Sequence, residues 1–220
     1  MSAASTAPAT GAKKRDYFFT VLFVDPIALP LTRGLARTRV SPDAISWLSL
    51  LVGLPIVFAF ATAERWGLIA GAALWYLSFL LDCVDGKLAR LKGVTSERGK
   101  RLDSMGDGAR RASSVLGVIA YLWQSEGRAE AWIAVIFGVL AFYVIEISGG
   151  EMSGPTQEPR GRVAVALARY RLLPTPGMTD VSAVAFVIGP LTGLVYPGVI
   201  VGLVLTSAAV VRNYVKAVRS

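Results

Sequence analysis

Residues 68–81 read LIAGAALWYLSFLL, and this apolar run passes without a break into DCVDGKLAR (82–90), LKGVTSERGK (91–100) and RLDSMGD (101–107). Asp82, Asp85, Asp103 and Asp107 fall within 26 residues, and a second apolar run, Val115–Trp123, follows the last of them. Charge at the edge of a bilayer core is costly, so it marks a functional site by default. Continued as a helix to Arg90, the first run sets Asp82 and Asp85 on one face as an i,i+3 pair. A second helix beginning near Arg101 sets Asp103 and Asp107 on one face as an i,i+4 pair. The polar linker 91–100, with glycines at 93 and 99, turns the chain so that the pairs face each other. Four converging oxygen donors, in a chain with no His and one Cys, suit Mg²⁺ or Mn²⁺ rather than zinc. The lesser reading is a helix-end charge network with Arg90, Arg101, Arg110 and Arg111.

Outward from this stretch, the chain has the composition of a membrane protein. Of its 220 residues 54% are hydrophobic, and its mean hydropathy is +0.54. Stretches 44–63, 67–81, 112–123 and 131–148 approach the roughly 20 apolar residues that a span needs, some only when joined to flanking helix. Val181–Val211 carries no charge over 31 residues, too long for one span at about 1.5 Å per residue. Gly189-Pro190 and Tyr196-Pro197 offer places to break it, so two helices with a turn near 191–197 are expected. The expectation is an all-α integral membrane protein with six transmembrane helices over 41–220.

Charge tests the count. With the N-terminus in the cytoplasm and six alternating spans, Arg65 and Arg128 alone among the 23 cations fall outside, as the positive-inside rule asks. The same arrangement puts both termini and the acidic cluster on the cytoplasmic side of a bacterial or archaeal cell membrane. The net charge of +8 is then topological, with a secondary role in attracting anionic headgroups or substrates. Distributed by loop, the cations do not form a nucleic-acid surface.

Residues 1–15 read as a disordered tail without the order of a cleaved signal peptide. Residues 16–40 are apolar but broken at Asp25-Pro26, and read as an amphipathic interfacial helix preceding the first span. Ser41 and Pro42 have the character of an N-cap and first helical residue. Cys83, the single cysteine, excludes an internal disulfide and reads as a packing residue. The polar connection 149–178 lies on the side of the motif and includes Glu151, Arg160, Arg162 and Arg169. The absence of His excludes histidine general-base chemistry, so a carboxylate must do that work.

At Asp82, Asp85, Gly86, Ala89, Arg90, Gly99, Asp103 and Asp107 the chain resembles the CDP-alcohol phosphotransferase family. Every fixed position and spacer of the signature D-x2-D-G-x2-A-R-x8-G-x3-D-x3-D is met. One element departs: where many members carry Pro-Asn-x-(Ile/Val)-Thr, this chain has Pro42-Asp43-Ala44-Ile45-Ser46. The resemblance implies transfer of a phosphoryl-alcohol unit from a CDP-alcohol, in the common case CDP-diacylglycerol, to an acceptor alcohol with release of CMP, in phospholipid biosynthesis. It implies that Asp82, Asp85 and Asp103 are metal ligands for two Mg²⁺ or Mn²⁺ ions. Asp107 either completes the second metal position or acts as the general base. Gly86, Ala89, Arg90 and Gly99 are implied to receive the CDP moiety, the glycines by close approach and Arg90 by its forked donors. A homodimer is implied as well.

Family members with phosphorylated acceptors tend to carry Lys or Arg near the cytoplasmic end of the fourth span. Here that end reads Glu146-Ile147-Ser148-Gly149-Gly150-Glu151, so a neutral or amine-bearing acceptor is expected. The alternatives are a soluble CDP-alcohol donor with a lipid acceptor, an aspartate-rich prenyltransferase, and a non-enzymatic transporter using the acidic cluster. A transporter predicts acids near mid-span and inverted repeats; here the acids crowd one end and no repeat is visible.

Overall fold

A computed structural model describes residues 11–146 and 162–219, which are helical apart from turns and one isolated bridge. A π-helical turn, Thr20–Val24, runs into α1 (Asp25–Ala36). There follow α2 (Pro42–Gly53), α3 (Ile56–Ala61), α4 (Arg65–Lys92), α5 (Glu97–Ser125), α6 (Arg128–Glu146) and α7 (Arg162–Arg169). The C-terminal part comprises α8 (Met178–Ala183), a π-helical turn Val184–Ile188, α9 (Gly189–Thr192) and α10 (Val195–Arg219). Among the described residues four helical segments are long and apolar enough to cross a membrane: Pro42–Ala61, Arg65–Lys92, Arg128–Ile145 and Val195–Val215. Of the other two expected spans, α5 has the length, at 29 residues, but its first half carries the motif charges. Met178–Thr192 is apolar but short. The long apolar C-terminal stretch breaks inside the expected window, at Gly193, whose φ of 78° is the left-handed stop that glycine accepts.

The linker between the two motif helices is shorter than the sequence suggests. α4 continues to Lys92 and stops at Gly93 (φ 65°), and α5 already begins at Glu97. The Ser96 hydroxyl caps α5 by accepting from the Gly99 N–H at 3.0 Å, and Glu97 suits the positive end of the helix dipole. Capping overrode the polar composition of 97–100.

α4 is the central element, packed by α1, α2 and α3. Its approach to α2 is close because small hydroxyl residues face each other. Ser49 donates to the Ser78 carbonyl and Ser78 to the Ser49 carbonyl, both at 2.9 Å, and a Cβ on Gly53 would stand 2.9 Å from Ser78 Oγ. Such small-residue contacts bind helices where apolar surroundings supply no hydrophobic drive. Pro55 separates α2 from α3 and frees backbone groups that a low-dielectric interior must satisfy. Ser113 of α5 takes both sides, donating to the Leu54 carbonyl at 2.7 Å and accepting from the Val57 N–H at 3.0 Å. Phe60 then fills the space between Gly71 of α4 and Gly117 of α5.

α1 is 12 residues long, too short to span. Together with the π-helical turn before it, it buries Val24, Ala28 and Thr32 and leaves Leu22, Phe23, Ile27 and Leu31 exposed. Its Asp25 is 2% exposed and ties three parts of the chain together. Lys87 of α4 meets it at 3.1 Å and Arg171, beyond α7, at 3.0 Å. Residues 11–15, assigned to the tail by sequence, lie against the same corner: Ala12 is 5% exposed, and Arg171 Nη2 donates to the Lys13 carbonyl at 3.0 Å. Lys87 is itself buried, so Asp25→Ala leaves an ammonium inside the protein without a counter-charge. The expected loss is about 3–5 kcal/mol, read as a fall in Tm in detergent. Arg171→Ala is expected to cost clearly less, because that side chain is one-third exposed.

Candidate active site

The last turns of α4 and the first turns of α5 set the acids against each other. Carboxylate oxygens of Asp82, Asp85 and Asp103 lie within 4.8 Å of one another. Three convergent oxygen donors with no nitrogen or sulfur among them fit a hard divalent cation such as Mg²⁺ or Mn²⁺. Asp107 stands outside this group of three. Its carboxylate is held by Arg110, one helical turn on, and Arg110 Nη2 also reaches Asp82 at 3.6 Å. Arg110 is 5% exposed and lies 5.3 Å from the centre of the Phe79 ring. It is therefore a buried counter-charge between the two acid pairs, and the expected charge network holds at this cation. Arg90 instead donates from Nε to the Gly11 carbonyl, 2.6 Å away.

Asp103 lies at the open edge of the cluster. Even there, loss of water around its carboxyl, and next the Asp107 carboxylate, raise its pKa above the ordinary range, with Arg110 pulling the other way. A cation beside these acids favours their ionised forms.

Two cavities flank the cluster. One, of about 210 Å³, is lined by Asp85, Gly86, Ala89, Arg90, Gly99 and Asp103 of the motif, with Asp43 and Ser46 from the start of α2. The other, of about 240 Å³, is lined by Asp82, Asp103 and Asp107 together with Lys13, Asp16 and Tyr17 of the N-terminal segment. Gly86, Arg90 and Asp103 line both. All eight signature residues thus border this pair of cavities.

Some of the site is not in the signature. Ser46 Oγ donates to Asp85 Oδ2 at 2.5 Å, a buried bond between residues 39 apart. Ser46 is the hydroxyl in the departing Pro42–Ser46 element, so its place in the chain was the signal. Arg110 was legible as the cation one turn beyond Asp107. Nothing local marks Gly11, Lys13 or Asp16. Glu151 and Arg160 lie outside the described residues, as does the side chain of Glu146.

The profile of the CDP-alcohol phosphatidyltransferase family matches residues 39–210. The chain belongs to this family. Among its relatives are a phosphatidylinositol phosphate synthase of Cutibacterium acnes, 30% identical over 120 residues, and a CDP-diacylglycerol–serine O-phosphatidyltransferase of Mycobacterium leprae, 28% identical over 108 residues. These alignments cover 52% and 49% of this chain, and 56% and 34% of the two relatives. The fold resembles that of Mycobacterium tuberculosis phosphatidylinositol phosphate synthase. The TM-score is 0.54 against its apo structure, at 22% identity, over 83% of this chain and 92% of that one. Against its complex with manganese and citrate the TM-score is 0.52, at 20% identity, over 84% and 87%.

Ser46→Ala removes one hydrogen bond to a carboxylate, worth about 1.5–3 kcal/mol. The expected result is Mn²⁺ binding weakened by about tenfold or more in a calorimetric titration, with Ser46→Thr close to the parent.

Proposed function

We propose that the chain transfers a phosphatidyl group from CDP-diacylglycerol to an acceptor alcohol and releases CMP. The observation that carries this reading is the convergence of Asp82, Asp85 and Asp103 at the junction of two cavities lined by the whole signature. Asp82, Asp85 and Asp103 would hold Mg²⁺ or Mn²⁺, with Asp107 beside them for a second ion. Bound there, divalent ions neutralise a diphosphate and stabilise the leaving CMP.

The protein's own groups supply the rest. The cavity on the side of Gly86, Ala89 and Gly99 suits the nucleotide, because the three small residues leave room for its close approach. Arg90 offers a forked donor to phosphate. Asp107 borders the opposite cavity, the side from which an acceptor must come for in-line displacement of CMP. In that position it takes the proton of the attacking hydroxyl, its value lying in placement more than in basicity. Arg110, already paired with it, keeps the carboxylate oriented.

The acyl chains of the donor call for a bilayer. The reading therefore includes six spans, with α5 and Met178–Thr192 completing the four apolar ones, and α1 and the π-helical turn before it lying at the interface with Leu22, Phe23, Ile27 and Leu31 toward lipid. It places the site and both termini in the cytoplasm on the charge distribution. Pairing of two copies is carried over from the family resemblance.

One observation favours a second reading, an acceptor that itself bears a phosphate. Nε and Nη2 of Arg212, on α10, are buried without a hydrogen-bond partner among the described residues. α10 packs against α6, whose Ile145 borders a cavity with Asp107. An unspent guanidinium there suits an anion, whereas the composition of 146–151 suits a neutral or amine-bearing alcohol.

Purified protein with CDP-diacylglycerol and Mg²⁺ or Mn²⁺ is expected to release CMP with one member of a panel running from inositol phosphate and glycerol 3-phosphate to serine and amino alcohols. Asp107→Asn is expected to abolish that release with an unchanged Tm. Turnover retained in this variant refutes the role of Asp107, and metal-independent turnover refutes the metal site.

A further inference from the structure

We infer that the N-terminal segment, which lies before the family-matched region 39–210, completes the donor site: Lys13 contacts the diphosphate of the CDP-alcohol, and Gly11 is a positioning residue for Arg90. The inference rests on the reading above and extends it to residues that the signature does not contain.

The two cavities meet at Gly86, Arg90 and Asp103. A diphosphate that joins a nucleoside in one cavity to a group transferred into the other must cross this junction. Two cations border it on the second cavity's side, Arg90 and Lys13, besides Lys87, which is spent on Asp25. Lys13 has an exposed side chain, within electrostatic reach of Asp103, while its backbone is pinned by Arg171. An anchored backbone carrying an exposed ammonium is the arrangement a phosphate contact needs.

Arg90 is held from the same segment. Its Nε is satisfied by the Gly11 carbonyl at 2.6 Å, which leaves the two terminal nitrogens of the fork for another acceptor. Those nitrogens lie next to Gly86, where an added Cβ would come 3.5 Å from Nη1 and 3.9 Å from Nη2. Position 11 accepts only glycine, for two independent reasons. Its φ is +67°, and a Cβ there would stand 2.6 Å from the carbonyl oxygen of Lys87. The close approach that lets a main-chain carbonyl reach Arg90 therefore depends on this residue.

The test is calorimetric binding of CDP, with Mg²⁺, to the full chain in detergent, with Mn²⁺ binding measured in parallel. Lys13→Ala is expected to weaken CDP binding about tenfold, the loss of one charge-assisted contact, while Lys13→Arg stays within about twofold. The neighbouring Lys14→Ala should bind as the parent does, and the exposed position of Lys13 leaves Tm unchanged. Gly11→Ala is expected to weaken CDP binding without weakening Mn²⁺ binding, a split that general loosening of the fold does not produce. CDP affinity equal to the parent's in Lys13→Ala overturns the contact, and equal affinity in Gly11→Ala overturns the positioning role. A parent chain that binds Mn²⁺ but no CDP overturns the donor assignment itself, and this inference with it.

Discussion

Four carboxylates gathered at the ends of two apolar helices repel one another and resist losing water, and the remainder of the molecule is arranged around that cost. A buried guanidinium that faces them, Arg110, touches both acid pairs at once, reaching Asp82 from its bond with Asp107. It offsets part of the repulsion without filling the space among Asp82, Asp85 and Asp103. The cluster is thus stable enough to form and still short of positive charge, which is the condition for a cation site. Ser46 adds a donor from the neighbouring helix and fixes the direction of Asp85.

Holding such a cluster requires helices that approach closely and do not slip. In apolar surroundings that closeness comes from small residues and internally satisfied polar groups, not from hydrophobic burial alone. The reciprocal Ser49 and Ser78 bonds lock α2 to α4. Ser113 repairs the backbone opened by Pro55 and so locks α5 to the same unit. α4 and α5 are joined by a short turn, yet it is α2, packed against both, that sets their relative height. The cavity lined by Asp43, Ser46 and the motif glycines is the gap left between these three elements.

The N-terminal segment closes the other side by a different physical means. Its backbone pairs with residues 171–173 through Asp16, its Phe19 N–H is accepted by Asp180, and Asp25 gathers Lys87 and Arg171. These are polar links, the Asp25–Lys87 pair buried among them, and each joins residues far apart in sequence. They make the wall of the site an assembly of the chain's beginning, its middle and its C-terminal third.

The all-helical character, the apolar segments, the break near Gly193 and the acid pairs were legible in the sequence. Each rests on local rules: run length, glycine and proline, and the 3.6-residue period that puts i and i+3 or i+4 on one face. The 91–100 linker is shorter than its polar composition suggests because a glycine stop at 93 and a serine cap at 96, three residues apart, outweigh that composition. Two of the six expected spans do not stand out by length and apolarity: the first half of α5 carries the motif charges, and Met178–Thr192 is short. By itself, then, the sequence determined the family signature and the helical faces that present its acids. Only the tertiary structure decided that Asp107 stands apart with Arg110, that Ser46 serves Asp85, and that Gly11 and Lys13 reach the site. The reach of Ser46 to Asp85 and of Gly11 to Arg90 depends on through-space distances of a few ångströms between residues tens of positions apart, which no local pattern of residue types encodes.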